Sequence, residues 1–156
     1  MKIFIILTSI AGLVVAVLTA QSNANAHRTC SCAGTFCNCS ITCLDKGEIP
    51  NCSCSTFSCI CSCNPKDHLT AGDIQLPTMD INQQENSRRA ESYFKGLGTP
   101  HGDALAIAIR SLRDAVLSSD KLAYLTNSRS AEETFQAMPA AGRQSYEDWA
   151  SANLIR

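Results

Sequence analysis

The stretch Cys30–Cys63 reads CSCAGTFCNCSITCLDKGEIPNCSCSTFSCICSC and contains all ten cysteines of the 156-residue chain. So many thiols in one segment are useful in two chemical states: paired as disulfides, or ionised as thiolates that bind metal. Few apolar side chains lie between them, so burial cannot offset the entropy lost when the segment is ordered. Cross-links or metal ions must therefore supply much of its order.

An internal repeat divides this stretch into two similar units. Residues 30–40 and 52–62 each follow the pattern C-x-C-x4-C-x-C-S, at an offset of 22 residues. Cys43 and Cys63 follow as the fifth cysteine of each unit, and residues 44–51 between the units are rich in turn-forming types. We therefore predict two hairpin-like or looped units joined by a turn.

The leading prediction is a disulfide framework. Residues i and i+2 of an extended strand point to the same face, so each C-x-C presents two sulfurs to one side. A disulfide inside one C-x-C would close a small strained ring, so we expect cross-links between C-x-C pairs, with the two fifth cysteines joining the units. Up to five disulfides would use Cys30, Cys32, Cys37, Cys39, Cys43, Cys52, Cys54, Cys59, Cys61 and Cys63.

The alternative is a metal–thiolate protein that holds Cu(I) or Zn. Each repeat supplies the four cysteines of a tetrahedral zinc site, although zinc sites usually space them as C-x2-C. Tight C-x-C runs suit bridged clusters of soft ions such as Cu(I). In this respect the chain resembles metallothioneins, although the Phe and Ile residues, the scarcity of Lys and the leader depart from that family. The ligands would be Cys30, Cys32, Cys37, Cys39, Cys52, Cys54, Cys59 and Cys61.

Residues 1–26 have the pattern of a secretory signal peptide. Lys2 precedes an uncharged, mostly apolar run from Ile3 to Ala20, and Ala24-Asn25-Ala26 matches an A-x-A cleavage pattern. An uncleaved anchor is the other interpretation of this run. We predict an exported protein, secreted or periplasmic, in an oxidising compartment that favours disulfides.

Cleavage after Ala26 would create a third candidate site. His27 would become the first residue, and its amino group and imidazole could together chelate one copper ion. His68 or His101 would then supply a second imidazole. A solvated terminus is the other interpretation of His27.

Composition argues against several functional classes. The formal net charge is −1 and the chain contains no run of Lys and Arg, so a nucleic-acid partner is not expected. No second apolar run would span a membrane once the leader is removed. The chain has none of the common nucleophile, metalloprotease, phosphate-loop or C-x-x-C motifs. We therefore predict a non-enzymatic binding or structural protein with no catalytic residue, no resident cofactor and an unidentified protein or surface partner.

After the predicted signal peptide, the sequence divides into three zones: the cysteine-rich module, a linker and an all-α module. Residues 27–63 form the cysteine-rich module of short or irregular β structure, 64–86 a linker or a loop lying on a domain, and 87–156 three to four short helices. The aromatic residues of the last zone recur at helical spacing, which predicts that they form its core. They are Tyr93, Phe94, Tyr124, Phe135, Tyr146 and Trp149.

Local signals place the helix boundaries. The first helix is predicted over Ser87–Leu97, and Thr99 with Pro100 should cap and begin the second. Ser119 or Asp120 should cap a short turn. Two further signals complete the assignment: a capping-box pattern over 130–133, and Pro139, which should end one helix and begin the next.

Overall fold

A computed structural model describes residues 28–45, 47–63 and 68–155, so the predicted signal peptide and His27 lie outside the described residues. As predicted, a cysteine-rich region of short antiparallel strands is followed by helices, and there are four. No helix in the described ranges is long and apolar enough to cross a bilayer. The elements are β1 (Arg28–Ala33), β2 (Asn38–Cys43), β3 (Pro50–Cys54), β4 (Cys59–Cys63), β5 (Ile74–Gln75), α1 (Ile81–Gly96), α2 (Pro100–Leu117), α3 (Lys121–Ala137) and α4 (Ala140–Asn153).

The two repeats are two antiparallel hairpins, as the sequence predicted. Strands β1 and β2 form one hairpin, and β3 and β4 form the other. Each turns through a Thr-Phe tip, closed by a backbone bond of 2.8 Å from Gly34 N to Cys37 O or of 2.7 Å from Ser55 N to Ser58 O. The tips are 21 residues apart, whereas the cysteines of the repeat are 22 apart, so the two phenylalanines are not equivalent in the repeat.

Residues 74–78 lie against both hairpins. Strand β5 pairs with β4, and Thr78 exchanges backbone hydrogen bonds of 2.9 and 2.7 Å with Asn38 of β2. Ile74 is buried. Of the two interpretations of residues 64–86, this part fits a loop lying on a domain.

The first helix begins earlier than predicted. It starts at Ile81, six residues before Ser87, so the predicted start of this helix was wrong. Asp80 caps it: the Asp80 carboxylate accepts from Gln83 N at 2.8 Å, and the Gln83 side chain accepts from Asp80 N at 3.0 Å. This is a reciprocal capping box. The side chains that the start of α1 buries, Gln83 and Asn86, are polar because they hydrogen-bond to the first hairpin.

Helix α2 begins as predicted, with Thr99 as its N-cap and Pro100 in the first position. Helix α3 corrects the prediction of a new helix at Ser130, because it runs unbroken over 17 residues from the cap at Asp120. Nothing in its sequence is a helix breaker, and one buried stripe continues through it. That stripe is Tyr124, Ser128, Ala131 and Phe135. Pro139 separates α3 from α4 as predicted.

One hydrophobic core joins the hairpin tips to the helices. Phe57 is 4% exposed, and its ring centroid lies 5.2–5.8 Å from those of Phe36, Phe94, Phe135 and Tyr146. The predicted helical aromatics are buried or packed against this core. The cysteine-rich region therefore gains its apolar burial from the helices, through its two tip phenylalanines.

Candidate thiol cluster between the hairpins

Strand register turns the cysteines of each hairpin toward the other hairpin. Cys32 lies directly opposite Cys39 in the first hairpin, and Cys52 opposite Cys61 in the second. The intervening residues Ser31, Ser40 and Ser53 are exposed on the outer faces. This alternation is what a period of two predicts for C-x-C runs in strands.

Each cysteine of the first repeat faces its equivalent in the second. The sulfurs of Cys30 and Cys52, of Cys32 and Cys54, and of Cys39 and Cys61 lie at bonding distance, with Cα separations of 5.9, 6.1 and 6.0 Å. All three pairs have a sequence separation of 22 residues. Stacked sheets usually lie about 10 Å apart. The much closer approach here equals the usual Cα span of a disulfide.

Cys43 and Cys63 form the fourth pair, at the end of the stack. Their Cα atoms are 5.6 Å apart and their sulfurs lie at bonding distance, so the geometry joins the two units where the sequence placed the fifth cysteines. Glu48 lies beside them, and its carboxylate is within 4.8 Å of both sulfurs.

Two sulfurs lie within bonding distance of more than one partner. The Cys52 and Cys61 sulfurs are that close to each other, as well as to Cys30 and Cys39 respectively. One sulfur can form only one disulfide. The Cα atoms of Cys52 and Cys61 are 4.1 Å apart, closer than the usual disulfide range. The pairing of Cys30 with Cys52 and of Cys39 with Cys61 therefore fits the backbone better.

Cys37 and Cys59 are free thiols within the described cysteines, and both are buried. They too are repeat equivalents, and Cys59 Sγ donates to Cys37 O at 2.8 Å. The hydrogen bond between their side chains, together with burial, raises the pKa of Cys37 far above its ordinary value. The same side-chain hydrogen bond lowers the pKa of Cys59. The two thiols are therefore coupled, and the charge of one depends on the protonation of the other.

Tyr124 of α3 reaches this pair from the helices. Its hydroxyl accepts from Cys59 N at 3.0 Å, donates to Cys59 O at 3.2 Å and lies 3.7 Å from Cys37 Sγ. Burial raises the pKa of Tyr124, so the phenol stays protonated. Helical spacing predicted that Tyr124 lies in the core, but no local signal indicated that its hydroxyl would bond the first residue of β4.

Polar side chains of α1 and α3 dock on the hairpin tips. Gln83 Nε2 donates to Gly34 O at 3.0 Å, Asn86 Nδ2 donates to Thr35 O at 3.1 Å, and the hydroxyls of Ser58 and Ser128 are 2.6 Å apart. These side chains are buried. Because buried polar groups need partners, the bonds fix the position of the cysteine-rich region on the helices.

The same sulfurs also make groups that could hold a metal ion. Three triads have all sulfurs within 4.8 Å of one another: Cys30, Cys52 and Cys61; Cys32, Cys54 and Cys59; and Cys32, Cys39 and Cys61. Seven of the eight ligands named in the metal–thiolate alternative therefore fall in overlapping triads, and the eighth, Cys37, contacts Cys59.

The histidine site remains a prediction. His68 and His101 are both exposed, and His27 lies outside the described residues.

No family model, curated protein or solved structure matches the chain.

Proposed function

We propose that the chain is an exported, non-enzymatic binding or structural protein, in which disulfides link two hairpins that pack on a helical unit. The four disulfides, called the disulfide ladder below, are Cys30–Cys52, Cys32–Cys54, Cys39–Cys61 and Cys43–Cys63. One observation carries the proposal. The paired cysteines stand 5.6–6.1 Å apart at their Cα atoms, so the stacked hairpins approach each other at the span of a disulfide. Each such bond typically contributes about 2–4 kcal/mol, which suits a region with few apolar side chains.

A groove offers a place for recognition. It lies between the tip of the first hairpin and helices α1 and α4, and its volume is about 570 Å³, within the usual size of a ligand site. Polar groups at its wall include Thr35, Asp80, Asn82 and Ser151. The disulfide-linked hairpin would hold one wall of the groove rigid, which lowers the entropy cost of ordering the groove when a partner binds.

Trypsin provides a direct test of the ladder, because Lys46 falls in the sequence between the two hairpins. Digestion without reductant should leave residues 29–46 and 47–66 joined, since every proposed bridge links the two fragments. Reduction should separate them. Fragments that separate before reduction would contradict the ladder.

A pair of variants tests the groove once a ligand is in hand. Ser151→Arg should block binding, because Ser151 lines the groove, whereas Ser145→Arg on the same helix should not. Equal loss in both variants, or in neither, would place recognition elsewhere.

The metal–thiolate alternative is favoured by the overlapping sulfur triads. A protein of that kind should be isolated with several Cu(I) or Zn ions and should lose them, with its order, at low pH or in chelator. The disulfide protein should keep its fold in chelator.

A further inference from the structure

The ladder leaves two sulfurs together in the core. Cys37 and Cys59 are 2% and 1% exposed, they are in hydrogen-bond contact, and they lie where the hairpin tips meet α3. In an exported protein two adjacent thiols are ordinarily oxidised to a disulfide. A bound metal ion would keep them reduced.

A small cavity adjoins Cys37. Its volume is about 10 Å³, which is close to the minimum for one water molecule. Most of its wall is formed by aromatic and aliphatic side chains, including Tyr124. The other lining residues are Cys37, Met79, Ser87 and Arg113. Cys37 and Met79 are its two sulfur-bearing residues, and Cys59 lies behind Cys37, in contact with it. A cavity of this size has room for one ion but not for an organic molecule.

Met79 adds a third soft donor. Its side chain packs against the cluster of buried cysteines that contains Cys37 and Cys59, and it also lines the cavity. Thiolates and thioethers select soft ions, and Cu(I) above all among those of biological interest.

We propose that Cys37, Cys59 and Met79 form a buried site for a single Cu(I) ion, beside the Cys32–Cys54 pair of the disulfide ladder but not part of it. The two thiols would each lose a proton and bind the ion as thiolates, and the Met79 sulfur would be the third ligand. The product carries one net negative charge, two protons pass to solvent, and no electron is transferred. Arg113 on the cavity wall supplies a positive charge nearby, shared with Glu91 through a 3.0 Å ion pair.

This site goes beyond the proposed function, because the other eight cysteines can remain paired while it is occupied. It also differs from the metal–thiolate alternative, which requires most of the cysteines to be reduced and several ions to be bound.

The test uses the full chain, purified without reductant, and Ag(I) as a redox-inert probe for Cu(I). Native mass spectrometry should show one ion per chain with the ladder intact. Cys37→Ser and Cys59→Ser should each abolish that ion. The double variant Cys43→Ser with Cys63→Ser should keep it, because that pair lies at the far end of the stack.

A pair of methionine variants keeps the test decisive if the serine variants fail to fold. Met79→Leu should weaken Ag(I) binding by at least about tenfold, whereas Met138→Leu, in the helical core, should leave it unchanged. Equal affinity in the two variants would overturn the role of Met79.

Three outcomes would overturn the site itself: a disulfide between Cys37 and Cys59, two free thiols that bind no ion, or an ion that survives in folded Cys37→Ser. The first two leave the ladder standing. Ten free thiols in protein that has not been treated with reductant would instead overturn the proposed function, so the two failures are distinguishable.

Discussion

At the scale of single residues, Tyr124 links the two halves of the molecule. Its hydroxyl satisfies both backbone groups of Cys59, at the start of β4, while its ring lies in the helical core. A buried backbone group that loses its partner costs free energy because it can no longer reach water.

We expect Tyr124→Phe to lower the free energy of unfolding by about 1–3 kcal/mol, because Cys59 N and O would lose their partner. Tyr93→Phe is the matched control, since Tyr93 is only partly buried and packs at the edge of the same aromatic cluster. Denaturant titration of both variants measures the difference. Equal stability of the two variants would show that the hydroxyl of Tyr124 contributes nothing.

Glu91 makes stability depend on pH. Burial alone would raise its pKa, but hydrogen bonds and charges from Arg110 and Arg113 together lower it below its ordinary value. A carboxylate whose pKa falls on folding stabilises the native state above the pKa it has in the unfolded chain. That contribution is lost as the pH falls through the folded-state pKa.

We therefore expect Glu91→Gln to destabilise the protein by about 1–2 kcal/mol at pH 7, since Arg113 is also mostly buried and loses a charged partner. The difference from the unmodified protein should shrink as the pH falls below the ordinary pKa of Glu91. Denaturant titrations at pH 7 and pH 3 measure it. A difference that grows toward pH 3 would contradict the assigned sign.

At the scale of elements, Gly102 sets how closely α1 and α2 approach. A Cβ atom at Gly102 would lie 2.5 Å from Phe94 O, a backbone atom that cannot move aside without shifting α1. Gly96, near the same helix junction, has no heavy atom within 4 Å of such a Cβ.

Gly102→Ala should therefore destabilise the helices by about 1–3 kcal/mol, the usual cost of overpacking. Gly96→Ala should be neutral or slightly stabilising, because alanine favours a helix over glycine. Thermal unfolding followed by circular dichroism compares the two variants. A loss as large in Gly96→Ala as in Gly102→Ala would point to backbone conformation rather than to the contact.

Helix boundaries show where local sequence is sufficient. The start of α2 was predictable because Thr99 and Pro100 are a local signal and the apolar stripe behind them is regular. The start of α1 was missed because Gln83 and Asn86 are polar but buried, so the apolar period fails in that turn. The buried Ser128 similarly interrupts the apolar pattern of α3, whose continuity was also missed.

At the scale of the whole molecule, the repeat predicted two hairpins but not the surface on which they dock. The match of four cysteines at constant offset is visible in the sequence, and the strand period then turns them to one face. By contrast, Phe36 and Phe57 meet the helices through contacts distant in sequence, which no local pattern records. The assignment of Cys37 and Cys59 as the free pair depends on the same tertiary packing.

In the function proposed above, disulfides rather than metal ions hold the two hairpins together. The most direct test is the intact mass of the protein, isolated from the compartment into which it is exported, before and after thiol alkylation, under native and unfolding conditions. We predict a mass eight hydrogens below that of the reduced chain, apart from the proposed single Cu(I) ion. We also predict two thiols that react only after unfolding. Ten reactive cysteines, or several retained metal ions, would contradict the account.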